Sequence, residues 1–155
     1  MKNLYRIDIL ESGLKHLTET IPSIHQTVIV SIDGFVVASH PSINIDEFDS
    51  HSNNTQQVAA MAAALIALGD QTLNRLDQGD MSRLMIEGHH GAIIVYPINR
   101  SAALSALVSK TAKMGLTLHE IARAAQRLSK ILPESRPKRY SHPLPHTLRQ
   151  LAIML

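Results

Sequence analysis

The sequence predicts an α/β fold with the element order α-β-β-α-β-β-β-α, in which helices cover an antiparallel five-stranded sheet. Three features carry this prediction: an Asp-Gly pair between two β-branched segments, a long Ala-rich helix, and three further strand segments before a final amphipathic helix. Short turns between consecutive strands favour antiparallel pairing, and helices must cover the apolar faces of such a sheet. We expect residues 1–132 to form one domain, followed by a tail at residues 133–155.

The amino-terminal part predicts a helix and a hairpin. Residues 3–21 carry apolar side chains at three- and four-residue steps, which is the spacing of one helix face, and Pro22 marks its end. The β-branched segments at 27–32 and 35–39 flank Asp33-Gly34. An Asp-Gly pair in this setting predicts a type I′ turn, because both central residues of that turn need positive φ. The side chains of the helix face are Leu4, Ile7, Leu10, Leu14, Leu17 and Ile21.

A long helix is predicted to begin at Asn54, where Gln57 completes a capping box, and to end at Gly79. The polar residues 41–53 before it are expected to form an exposed loop. The helix carries two apolar stripes. The stripe expected to face the core consists of Val58, Met61, Ala62, Leu65, Leu68, Thr72 and Leu76. The second stripe has only small side chains, namely Ala60, Ala63, Ala64 and Ala67.

Three strands and a helix are predicted after Gly79. The strands lie at 84–87, 92–96 and 102–108, although the alanines of the last segment also suit a helix. Thr117 and Glu120 form a second capping-box pattern, which predicts a helix that runs to about Leu132. Its inward side chains are Leu118, Ile121, Ala125 and Leu128, and its polar face carries Glu120, Arg123, Arg127 and Lys130.

The composition excludes several kinds of site. The chain has 155 residues, 45% of them hydrophobic, which suffices for the core of one domain. It has no cysteine, and this rules out disulfides, cysteine nucleophiles and thiolate metal sites. The amino-terminal segment is interrupted by Asp8 and Glu11, and no stretch reaches the roughly 18 apolar residues that a membrane span requires. We therefore expect a soluble, cytoplasmic protein with no membrane span.

The basic charge is concentrated in the tail. Residues 133–155 hold four basic side chains against one acidic, whereas the rest of the chain holds 11 basic and 12 acidic. A neutral domain with few aromatic residues and no basic stripe argues against nucleic acid as a partner. The tail is Pro-rich to residue 143, and leucines then recur at helical spacing to Leu155. A docked short helix, a disordered segment and a weak membrane-surface contact all fit this pattern.

The ordered set of segments resembles the roadblock/dynein light chain seven family, including the bacterial MglB-type regulators. The matching segments are residues 30–38, residues 58–65 with Gly69, residues 86–97 and residues 113–118. Each is a weak signal alone, but their order and spacing are specific, and the resemblance covers residues 4–132. It implies an α/β/α sandwich with a central antiparallel sheet, in which the long helix covers one face and the terminal helices cover the other.

The resemblance also implies function. Roadblock domains typically pair through the long helix and the third strand, and bacterial members are commonly found with a Ras-like GTPase. We therefore expect a non-catalytic regulator that binds a small Ras-like GTPase as a homodimer and modulates GTP hydrolysis or nucleotide exchange. The alternative is a dimeric scaffold for a GTPase-linked motility or polarity complex, without an effect on turnover.

The expected dimer interface combines the alanine stripe with the third strand. Exposed alanines also reflect plain helix propensity, but this face offers few charges before Asp70, which favours an interface. Charges on an edge strand either block pairing or pair with a second copy of the strand, where Arg83 and Glu87 face each other. The interface residues are Ala60, Ala63, Ala64, Ala67, Arg83, Leu84, Met85, Ile86 and Glu87.

No catalytic, cofactor-binding or metal site is expected. The nine histidines are scattered, the acidic residues at 46–49 lack EF-hand spacing, and no phosphate-binding glycine loop is present. A small-molecule sensor would need polar residues that converge on a pocket, and the sequence shows none. Arg75, Arg83 and Arg100 are candidate arginine fingers, but the resemblance to the roadblock family points instead to a regulator that reshapes the GTPase switch elements. The residues expected to contact the partner are Gln71, Arg75, Arg100, Leu148 and Leu151.

Overall fold

The elements follow one another in the predicted order. The computed structural model describes residues 2–41 and 50–134, with side chains at 7–41 and 55–134. The helices are α1 (Lys2–Thr20), α2 (Ser50–Arg75) and α3 (Met114–Ile131). The strands are β1 (Ile24–Ser31), β2 (Val36–His40), β3 (Leu84–Gly88), β4 (Gly91–Pro97) and β5 (Ala102–Ser109).

The five strands form one antiparallel sheet in the order β2-β1-β5-β4-β3. On one face, α1 and α3 enclose a core cluster that contains Leu10, Leu104 and Ile121. On the other face, α2 packs over a second cluster that includes Val28 and Val95. The predicted sandwich is confirmed, with the long helix on one face and the terminal helices on the other.

The turn between β1 and β2 differs from the predicted type I′ turn. Ile29 pairs with Ala38, a register that would leave Asp33-Gly34 as a two-residue turn. The register shifts at the next pair, so that Val30 lies opposite Val36 and three residues form the connection. Among the described non-glycine residues only Asp77 has positive φ, whereas Gly34 has φ 86°. The turn is therefore a three-residue loop in which Gly34 alone is left-handed.

The bounds of α2 were predicted incorrectly at both ends. The helix begins at Ser50, and the Gln26 Nε2 atom donates a hydrogen bond of 2.8 Å to the Thr55 Oγ1 atom, which ties this end to β1. The expected loop at 41–53 thus overlaps the helix, while residues 42–49 lie outside the described part. At the other end Asp77 adopts φ 53°, and the Gln78 amide donates to the Leu73 carbonyl at 2.9 Å. This left-handed residue ends the helix before Gly79 does.

The buried face of α2 is also rotated from the predicted stripe. Val58, Ala59, Ala62 and Ile66 face the sheet, whereas several large side chains of the predicted core stripe are exposed. The helix lies closest to β1, and this close approach accommodates small side chains such as Ala59 and Ala62 on the inner face. The exposed members are Met61, Leu68, Thr72 and Leu76.

Two smaller predictions about helices need correction. Thr117 is not an N-cap, because α3 begins after Lys113 and the Thr117 hydroxyl donates to the Lys113 carbonyl at 3.0 Å. Ile7, predicted to face the core, is exposed, because the buried stripe of α1 begins at Leu10. The inward face predicted for α3 is confirmed, with Ile121, Ala125 and Leu128 buried.

A close backbone contact explains one of the two glycines that flank the turn between β3 and β4. Gly91 pairs with Ser109, and a Cβ atom added to Gly91 would clash with the Val108 carbonyl oxygen. No rotamer change relieves this contact, because both partners belong to the sheet backbone. By contrast, a Cβ atom added to Gly115 at the start of α3 meets nothing within 4 Å.

We predict that Gly91→Ala lowers the free energy of unfolding by about 1–3 kcal/mol, because β4 and β5 must separate to admit the methyl group. Gly115→Ala serves as the control and should be neutral or stabilise by up to about 1 kcal/mol through helix propensity. Urea denaturation of the three proteins at one protein concentration measures this difference. Equal stability of Gly91→Ala and the parent would contradict the close approach.

Candidate functional site

The outer side of α2 is unusually apolar for an exposed helix. Met61 is 53% exposed and Leu68 is 62% exposed, and both belong to one stripe with the half-buried Leu65. Ala60, Ala64 and Ala67 are exposed on the outermost ridge beside this stripe. Together they form an apolar surface without a charged side chain over two and a half turns of helix.

The third strand adds a second exposed apolar region. β3 lies at the end of the strand order and has a described partner strand, β4, on one side only. Met85 is 41% exposed and Ile86 is 47% exposed. An exposed edge with large apolar side chains is a template for pairing with another strand.

These two regions lie on the same face of the sheet. Leu84 packs against the cluster beneath α2, and Ile86 shares its face because side chains alternate along a strand. Ile93, opposite Ile86 in β4, is only half-buried against the same cluster. We call the combination of Met61, Ala64, Leu65, Leu68 and Ile86 the α2–β3 surface.

The predicted alanine stripe is not uniform. Ala60, Ala64 and Ala67 are exposed as expected, but Ala63 is half-buried and packs against the core cluster under α2. The β1–β2 turn lies over this flank, since a Cβ atom on Gly34 would lie 3.5 Å from the Ala60 Cα atom and 3.7 Å from the Ala63 Cβ atom. The opposite flank, with Met61 and Leu68, is the open one, although the sequence pattern predicts it to face the core.

Two charged residues lie at the edge of the sheet where a second strand would pair, one just before β3 and one within it. Arg83 and Glu87 are exposed, and neither forms an ion pair with another residue in the described part of the chain. They flank Met85 symmetrically in sequence. Side-chain alternation places both on the face opposite to Leu84 and Ile86.

The residues expected to contact a partner are spread over the structure. Gln71 and Arg75 are exposed near the end of α2. Arg100 is exposed in the turn between β4 and β5, and its backbone amide donates to the Glu134 Oε1 atom at 3.5 Å. Leu148 and Leu151 lie outside the described residues. The structure therefore brings Gln71 and Arg75 together on one helix and leaves Arg100 on a separate turn.

An exposed apolar pair at the β1–β2 turn is not predicted by the sequence pattern. Phe35 is 68% exposed and Ile32 is 56% exposed, on either side of Asp33-Gly34. The β-branched pattern places both in half-buried strands. The register shift in β2 contributes to the difference, because it moves Ile32 from the ladder into the three-residue turn and leaves Phe35 directly after that turn.

The described part of the chain offers no clustered metal ligands. Across residues 2–41 and 50–134, no three His, Cys, Asp or Glu side chains are grouped so that they could hold a metal ion. His16, His25, His89, His90 and His119 are exposed, and the acidic residues at 46–49 lie outside the described part. No described helix is long and apolar enough to cross a bilayer.

Comparison with known proteins shows which proteins this chain is similar to. One relative, the uncharacterized protein MJ1340 of Methanocaldococcus jannaschii, is 27% identical over 120 residues, which cover 77% of this chain and 96% of that protein. The crystal structure of a Roadblock/LC7 domain from Streptomyces avermitilis superposes with a TM-score of 0.68 at 21% identity, covering 77% of this chain and 94% of that one. The gliding protein MglB of Thermus thermophilus superposes with a TM-score of 0.69 at 16% identity, covering 81% and 90%.

The sequence itself matches a family model over most of the sandwich. The model of the Roadblock/LC7 domain matches residues 14–109, which run from α1 to the end of β5 and make up more than half of the chain. The segments that suggested the resemblance between residues 30 and 97 lie within this match. The chain therefore belongs to the Roadblock/LC7 domain family.

Proposed function

We propose that this chain is a homodimeric, non-catalytic regulator that binds a small Ras-like GTPase in the cytoplasm and modulates its GTP hydrolysis or nucleotide exchange. The observation that carries the proposal is the α2–β3 surface, an apolar helix face beside a strand edge that no described strand pairs with. Membership of the Roadblock/LC7 family and the likeness of the fold to MglB support the choice of partner.

Self-pairing of β3 explains the arrangement of its side chains. In an antiparallel pair centred on Met85, Arg83 of one protomer lies opposite Glu87 of its partner, and Leu84 lies opposite Ile86. The charged pairs then face one side of the joined sheet and the apolar pairs face the side of α2. Opposite charges directly across a strand pair are favourable, and the twofold axis repeats each pair.

The exposed face of α2 completes this interface. Ala60, Ala64 and Ala67 permit close approach of a second helix, and Met61 and Leu68 supply apolar area beside them. Burial of such side chains contributes roughly 25 cal/mol per Å² of apolar surface removed from water. The α2 helix and the apolar side chains of β3 lie on the same face of the sheet, so that one interface includes both the helix pair and the strand pair.

The proposed effect on the GTPase does not require an arginine finger. Arg75, Arg83 and Arg100 lie on α2, before β3 and in the β4–β5 turn, so that they do not converge on one position. A dimer that binds one conformation of the switch elements more tightly than another shifts the GTPase population toward it. Such a regulator acts through differential binding and donates no group to the reaction.

We predict that Leu68→Glu converts the dimer to a monomer at micromolar concentration. Two carboxylates placed at an apolar interface cost at least about 3 kcal/mol, which is roughly a hundredfold in Kd. Leu116→Glu is the matched control, because Leu116 is also exposed, at 53%, but lies on α3. Sedimentation equilibrium of both variants tests the assignment, and a dimer that survives Leu68→Glu would refute it.

We predict that Arg83→Glu and Glu87→Arg each weaken the dimer, since each variant places like charges opposite one another twice across the axis. About 1 kcal/mol for each of two pairs amounts to roughly tenfold or more in Kd. The double variant Arg83→Glu/Glu87→Arg should recover most of the parent affinity. Absence of this recovery would exclude the register centred on Met85.

We predict that the purified protein binds a small Ras-like GTPase encoded in the same genome and alters its rate of GTP hydrolysis or nucleotide release. Single-turnover hydrolysis and release of a fluorescent nucleotide, with and without this protein, measure both rates. The variants Arg75→Ala, Arg83→Ala and Arg100→Ala should each retain a substantial part of the effect.

The outcomes of this assay separate the possible roles. A total loss of activity in one arginine variant would indicate a finger supplied in trans, which is worth about 10³–10⁵ in rate. Binding without any change in either rate would indicate that the protein acts as a dimeric scaffold and not as a regulator. Absence of binding to every Ras-like GTPase of the genome would refute the proposed partner.

A further inference from the structure

A cleft lies at the end of the sheet, next to the carboxyl end of α3 where the tail begins. The β1–β2 and β4–β5 turns meet there, joined by a hydrogen bond of 3.0 Å from the Ile32 amide to the Ser101 carbonyl. The cleft has a volume of about 300 Å³, and α2 and the loop before β3 close it from the opposite side. Its apolar wall includes Ile66, Met81 and Ala103.

Acidic side chains dominate the charge of this cleft. Asp70, Asp80 and Glu134 line it together with one basic residue, Arg100. The ion pairs of the described residues join Lys15 to Glu19 and Arg123 to Glu120, so that the three carboxylates have no cationic partner among them. The cleft is an apolar groove with an excess of negative charge at its rim.

The path of the chain leads into this cleft. The Asn99 Nδ2 atom donates to the Leu132 carbonyl at 3.0 Å, and the Arg100 amide donates to the Glu134 carboxylate at 3.5 Å. These contacts turn the chain at the end of α3 over the end of the sheet, from the α1–α3 face toward α2. Glu134, the last described residue, already lines the cleft.

The segment that follows has the complementary charge. Residues 135–139 read Ser-Arg-Pro-Lys-Arg, with three basic side chains and no acidic one. Arg136 lies within about 7 Å of the Glu134 Cα atom even in a fully extended chain, and Arg139 within about 18 Å. Pro133 and Pro137 restrict the free chain, which reduces the entropy lost when the segment is held in a groove.

We propose that residues 135–139 of the same protomer occupy this cleft and pair their basic side chains with Asp70 and Asp80. The occupied cleft joins the tail to α2 across the end of the sheet. As a consequence, residues 144–155, with Leu148 and Leu151, leave the domain on the side of α2 and not on the side of α1 and α3. The proposal does not depend on the identity of a partner GTPase.

A spin label in the tail tests this placement in the full-length protein. The chain has no cysteine, so Ser141→Cys provides a single attachment site for a nitroxide. The amide NMR signals of Asp70, Asp80 and Arg100 should lose intensity, and they should regain it when the nitroxide is reduced. Unchanged intensities at all three amides would overturn the proposal.

Charge variants test the cause of the docking. Asp70→Lys/Asp80→Lys should abolish the loss of intensity, whereas Asp8→Lys/Glu19→Lys, with the same change of charge on the exposed side of α1, should preserve it. Raising the salt concentration to 1 M, where the Debye length falls to about 3 Å, should also weaken the effect. An undiminished loss of intensity in Asp70→Lys/Asp80→Lys, or in the parent protein at high salt, would exclude charge pairing.

A mixed sample distinguishes the same protomer from its partner. Isotope-labelled chains without cysteine are combined with unlabelled chains that carry the nitroxide. The proposal requires that the Asp70, Asp80 and Arg100 signals keep their intensity in this mixture. If these signals lose as much intensity in the mixture as in the sample where isotope label and nitroxide are on the same chain, the tail docks on a second copy, which contradicts the proposal.

Discussion

The contact that governs this domain is the close packing of α2 on the sheet beside β1. Ala59 and Ala62 are fully buried in a cluster that also contains Val28 and Val30 of β1. Small residues on the inner face of the helix allow it to lie near the strands, and large ones would hold it away. The buried Ser105 hydroxyl of β5 has no hydrogen-bond partner among the described residues.

The small residues on the inner face of α2 determine which of its side chains are exposed on the outer face. Since Ala59 and Ala62 occupy the inner face, Met61 and Leu68 are turned to the open flank, and the free side of α2 is more apolar than that of a solvated helix. On the α1–α3 face the large residues Leu10, Leu14 and Ile121 are wholly buried, while Ile7, Ile9 and Leu116 of the same two helices are exposed. Both helical layers thus expose some apolar side chains, and α2 carries Met61 and Leu68 on one stripe without a charged residue.

The sequence predicts the order and pairing of the elements but not the rotation of α2. Periods of two and 3.6 residues and the turn residues suffice for the five strands, because each strand is short and bounded by polar residues. Apolar residues surround more than half of α2, so that periodicity does not distinguish the face on the sheet from the face on a partner. The close approach of α2 to β1, which periodicity does not reveal, places Ala62 and not Leu65 in the buried cluster. The exposed Phe35 escapes prediction for a similar reason, since a register shift in β2 leaves no mark in the sequence.

The two end strands of the sheet differ in their surroundings. α1 packs against β2, whereas the Ile86 side chain of β3 is exposed and β3 pairs only with β4 among the described strands. Charges on an edge strand usually prevent association with unrelated strands. Arg83 and Glu87 have this effect for most partners, yet their symmetric placement about Met85 makes the same charges favourable for one antiparallel register. In the proposed dimer, this pair of residues disfavours general aggregation and selects a copy of the same strand, so that specificity at this edge follows from sequence symmetry and not from added apolar area.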